Sequence, residues 1–137
     1  MSITNAINTA VYGTITATSA VTSLLSGTAA VYDSQAPDNA TLPYVVFSIQ
    51  AETRDNTQGS DTTQAVINIR GYAGTPSVAG SIDGALSGLF HRNQFTVSGY
   101  VNFWTARETY VPTVEIEPNG QKIYGRGALY RVRLDRN

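Results

Sequence analysis

With 137 residues the chain is long enough for one domain but leaves too little for a second independent core. Only 14% of residues are charged against 42% hydrophobic, so Ser, Thr, Asn, Gln and Gly must cover much of the surface. A net charge of −1 excludes the basic excess of a dedicated nucleic-acid binder, and the absence of cysteine excludes a disulfide framework and thiolate metal sites.

The N-terminus, Met1-Ser2-Ile3-Thr4-Asn5, has neither the basic cluster nor the apolar run of a secretion signal. No segment approaches the ~20 apolar residues that span a bilayer. These features predict a protein made in the cytosol, with no membrane partner. From Ile3 to Leu25 apolar residues recur at helical spacing, while Gly13 and the threonines from Thr14 to Thr18 weaken the middle. The expectation is two helical pieces within residues 3–26, the second capped by Thr18 or Ser19 and ending at Gly27. A short strand over residues 29–33 follows.

Pro37, Asp38 and Asn39 form turns, and Pro43 holds Leu42 extended, so residues 33–42 read as a loop. Residues 44–51 then alternate, with Val45, Phe47 and Ile49 on one face. Residues 52–62 contain almost nothing apolar and are expected to project as a polar loop. Alternation resumes over residues 64–72, with Ala65, Ile67 and Ile69 inward. Thr75 as N-cap and Pro76 at the first helical position open the clearest helix, whose apolar face is Val78, Ile82, Ala85, Leu86, Leu89 and Phe90. Phe95, Val97, Val101 and Phe103 predict a third long strand with Tyr100, Asn102 and Trp104 on its other face. Residues 110–117 and 123–134 read as an antiparallel pair turning at Pro118-Asn119-Gly120, with Pro112 marking an edge strand or a bulge.

This order predicts a single α+β domain over residues 1–137: an N-terminal helical section, 3–26, and a body of sheet and helix, 29–135. The sheet is expected to be antiparallel-rich or mixed, with helices mainly on one face.

Catalytic chemistry finds little to work with. His91 is the lone histidine and sits at a helix end, where its charge would favour the dipole. Glu115 and Glu117 share a strand face beside an exposed turn and read as a solvated face rather than an acid–base pair. Residues 55–61 superficially suggest a calcium loop, but the glycine falls one position early and Val66 stands where the closing Glu belongs. Gly125-Arg126-Gly127 lies inside a strand and opens no helix, so it is no phosphate loop. Neither a catalytic, cofactor nor metal site is expected, and Tyr and Trp side chains read as core or interface packing.

Residues 24–25, Val31-Tyr32-Asp33, the loop from Gln35-Ala36-Pro37 to Ala40-Thr41-Leu42 and the strand opening Pro43-Tyr44-Val45-Val46-Phe47 resemble the tail-completion or tail-terminator proteins of long-tailed bacteriophages. The polar excursion, the strand over 65–72, the Pro76 helix and the terminal hairpin follow in the same order, over nearly the whole chain. That resemblance implies a virion protein without a cofactor. It also implies a ring, usually of six copies, that closes the tail tube and presents it to the head connector, with DNA only as passing cargo. Tail tube protein and head–tail connector proteins are the implied partners.

Two hypotheses attach to particular residues. Arg54, Asp55 and Asp61 belong to a projecting arm that orders against a neighbouring subunit or the tube, and Arg126, Arg131 and Arg133 line a subunit interface or the lumen. Charge asymmetry suits this, since residues 1–91 carry net −4 and residues 92–137 net +3. Competing readings are another neck component, an adaptor or stopper; a carbohydrate-binding module using Tyr100 and Trp104; and, weakest, an enzyme.

Overall fold

The computed structural model describes residues 3–25, 30–37, 40–55, 62–116 and 120–136, without the side chains of Arg54, Asp55, Phe103 and Arg136. Helix α1 (Ile3–Thr16) runs straight through Gly13, and the break falls at residues 17–18, the end of the threonine run. Thr14 and Thr16 stay helical, their hydroxyls bonding back to the carbonyls of Ala10 and Tyr12 one turn earlier, and the extended Thr18 donates likewise to the Thr14 carbonyl. Thr18 is the N-cap of the short α2 (Ser19–Thr22), but its hydroxyl is thereby turned away from capping. A 3-10 turn, Ser23–Leu25, follows. Gly27, the expected end of this section, lies outside the described residues.

The sheet holds six described strands: β1 (Val31–Asp33), β2 (Tyr44–Asp55), β3 (Thr62–Ala73), β4 (Tyr100–Tyr110), β5 (Thr113–Ile116) and β6 (Lys122–Arg136). Their order is β1-β2-β3-β6-β4, with β5 continuing the line of β4 along the same edge of β6. Only β1 to β2 is parallel, so the sheet is mixed and the fold is α+β.

On one face Val45, Phe47, Ala65, Ile67, Ile69, Ala128, Tyr130, Val132 and Leu134 meet the buried stripes of α1 and of α3 (Pro76–Phe90). Thr75 caps α3, accepting the Val78 N–H on its side-chain oxygen. The buried stripe of α3 is Ala79, Ile82, Asp83, Leu86 and Phe90, whereas Val78 is 40% exposed. Close approach of α3 to β3 depends on Gly71, because a Cβ there would lie 2.3 Å from Ile82 Cγ2.

Two expectations are corrected. Residues 52–55 do not leave the sheet: β2 continues to Asp55, paired with Thr62, and Thr63 is buried. A bulge near Gln50 exchanges the two faces, which hides the alternation from a sequence reading. The third long strand begins at Tyr100, not Phe95. Gly99 turns the chain with φ +84°, so Phe95 and Val97 are buried ahead of the strand while Val101 is exposed. Asn102 takes the inward position instead, donating to the Phe95 carbonyl and accepting from Thr105 and the Trp104 N–H.

Candidate assembly surface

Among the described residues no helix covers the other face of the sheet. Tyr32, Tyr44 and Tyr72 step across β1, β2 and β3, with ring centroids 6.0 and 5.4 Å apart, and Arg70 donates to the Tyr72 hydroxyl. Gly125 makes room for this ladder, since a Cβ there would crowd Thr113, Tyr72 and Arg70. Loop residues 34–37 and 40–42 lean over the same end of the sheet and enclose an open cleft of about 830 Å³ with Tyr44, Val46, Tyr72, Glu115 and Ile123.

Arg131 and Arg133 stand on this uncovered face. Arg131 holds Glu108 through Nε, at 3.0 Å to each carboxylate oxygen, and donates to Gln64. The guanidinium of Arg133 lies 4.9 Å from the Trp104 ring centroid. Arg126 is out of phase with these two and belongs to the opposite face, where it donates to the Tyr110 hydroxyl. The three arginines therefore do not form one patch. Of the expected arm, Asp61 and the side chains of Arg54 and Asp55 lie outside the described residues. Tyr100 and Trp104 do not share a face either: a bulge between Asn102 and Trp104 turns Tyr100 toward the core, so the two form no common platform for a sugar.

The core face holds one charged pair that sequence reasoning missed. Asp83, buried on α3, receives two bonds of 3.0 Å from Arg107 on β4. Burial opposes the charge of Arg107, but the hydrogen bonds and charge of Asp83 outweigh it and hold the guanidinium's pKa above its ordinary value. Beside them the phenol of Tyr130 is pushed up to about 12, chiefly by burial, with Arg107 drawing it back and Asp83 raising it. This is a lock between helix and sheet. His91 has a similar duty, its Nδ1 accepting the Arg107 N–H at 3.0 Å. Among the described residues no group of three or more His, Cys, Asp or Glu could hold a metal ion, and no helix is long and apolar enough to cross a membrane.

The edges of the sheet differ. Along the outer edge of β4, the Arg92 N–H donates to the Thr105 carbonyl and His91 occupies the next outward N–H, so the segment after α3 covers that stretch. Among the described residues the line formed by the end of β4 and by β5 has no such cover, since β5 pairs with β6 alone. There Tyr110, Val114 and Ile116 are exposed, Val114 by 60% and Ile116 by 69%. A bare apolar strand edge invites association, and its placement on a small, charge-poor body defines a class of protein: an assembly subunit.

Comparison with known proteins gives the family. The family model described as "Tail completion protein gp17" matches residues 9–134, and the chain belongs to that family. It is thus a structural protein of a phage-type virion tail. A chain from a structure titled "Virion of native gene transfer agent (GTA) particle" shares the fold with a TM-score of 0.74 at 17% identity, covering 98% of both chains. No curated protein sequence matches this one.

Proposed function

We propose that the chain is a single-domain tail terminator: copies of it close into a ring, of six by family resemblance, that caps the finished tail tube and joins it to the head connector. The uncovered apolar edge of β4 and β5 carries this reading beyond family membership. Removing side chains such as Val114 and Ile116 from water is worth roughly 1 to 2 kcal/mol each. That gain is realised only when another surface covers them. A chain of net charge −1 with such an edge is suited to an assembled state.

Within this reading the uncovered sheet face, with Arg131 and Arg133, supplies the subunit or lumen surface, and the polar segment from Arg54 to Asp61 supplies the arm against a neighbour or the tube. Arg126 acts from the other face. The test is binding of purified protein to uncapped tail tubes and, separately, to DNA-filled heads. Preferential binding to tube ends supports a terminator; binding to heads alone would reassign the chain to the connector side.

A further inference from the structure

The ring reading leaves open which surfaces meet, and the two edges of the sheet differ in a way that answers it. At the β5 edge, Tyr110, Val114 and Ile116 lie on one face with Lys122 and Arg126. Ile116 is paired with Lys122, and Arg126 donates to the Tyr110 hydroxyl. Among the described residues, Glu108 holds Arg131, Asp135 accepts from the Thr62 hydroxyl, and Glu115 points to the opposite face, into the cleft.

At the far edge stands β1, three residues long and ending in exposed Asp33, whose carboxylate accepts from the neighbouring Ser34 hydroxyl. In the parallel ladder Ala30 and Ser34 bond to β2, so residue 31 turns its backbone groups outward, while the Asp33 carbonyl accepts the Gln35 N–H. The two ion pairs of the described residues, Asp83–Arg107 and Glu108–Arg131, use neither Asp33 nor Lys122 nor Arg126.

We propose that the β5 edge of one copy docks on the β1 edge of the next, head to tail, with Val114 and Ile116 covered and Lys122 and Arg126 facing Asp33. This rests on the ring reading and names its interface. Charge selects the occupant. Two β5 edges together would set Lys122 and Arg126 against their own copies, and two β1 edges would set Asp33 against Asp33, so self-pairing is repelled at both edges while cross-pairing is attracted. A heterologous contact of this kind propagates around a ring, whereas a self-complementary one stops at a dimer.

Because the chain has no cysteine, engineered pairs report the contact without background. Full-length protein carrying both D33C and I116C is oxidised in the presence of purified tails, beside each single variant. A covalent ladder extending beyond the dimer in the double variant, and none in either single variant, is the expected result. Dimers from I116C alone would show a self-complementary edge and overturn the proposal. Wild-type rings with no ladder from the double variant would overturn this interface while leaving the ring intact; a wild-type protein that stays monomeric with tails would overturn the ring reading itself. Charge reversal gives an independent check: D33K or R126E should raise the concentration needed for assembly about tenfold, and the combination should recover most of that loss. Failure of the combined variant to recover counts against the pairing.

Discussion

Asp83 shows how a single buried charge is tolerated in a core of this size. Its carboxylate lies in the apolar stripe of α3 and would be costly there alone, but Arg107 meets it with two parallel hydrogen bonds. Replacing Asp83 by Ala leaves the guanidinium beside Tyr130 without its partner, and should lower unfolding free energy by about 2 to 3 kcal/mol in urea titration, somewhat below the cost for a fully enclosed pair. Substituting both members by apolar residues should cost less than that single change. Tyr130 adds a pH signature. Its pKa is raised to about 12, so folding favours the protonated phenol. That stability is complete below the unfolded value near 10 and is lost as pH climbs toward 12, by at most about 2 to 3 kcal/mol. In Tyr130→Phe this part of the alkaline slope should disappear; an unchanged slope would mean that other groups set it.

At the level of elements, the contact between α3 and the sheet depends on Gly71. Gly71→Ala should destabilise by about 2 kcal/mol through overpacking against Ile82. In an Ile82→Ala background the same change should cost much less, which thermal melts of the four variants would read; equal costs in both backgrounds would place the strain elsewhere.

Elements of this kind were legible where one rule acted alone. The alternation of Ala65, Ile67 and Ile69 and the Thr75-Pro76 start of α3 are visible in the residues because cap, ring geometry and burial agree there. Misreadings occurred where a local device shifted the phase. The bulge near Gln50 carried polar residues on in β2, Gly99 reset the parity of β4, and Asp83 broke the apolar pattern of α3 that its partner 24 residues away makes possible. Nor does periodicity reveal which edge of a sheet is covered. His91 and Arg92 shield β4 through backbone bonds that have no sequence pattern, leaving β5 as the exposed line.

For the whole molecule, the described residues form a sheet with one helix-covered face, one face without a helix and two dissimilar edges, a shape that suits the proposed assembly. The family makes the chain a structural tail protein. If the β5 edge is the contact, V114E with I116E should abolish assembly while leaving the monomer's melting temperature within a few degrees, because both side chains are already in water. Loss of folding in that variant would instead make them part of the core.

The most direct measurement is the native mass of the purified protein, alone and on tails. A closed multiple of the 14.7 kDa chain, with six copies expected, is the result that a terminator ring predicts. A species that remains at 14.7 kDa in both conditions and never joins a tail would contradict it.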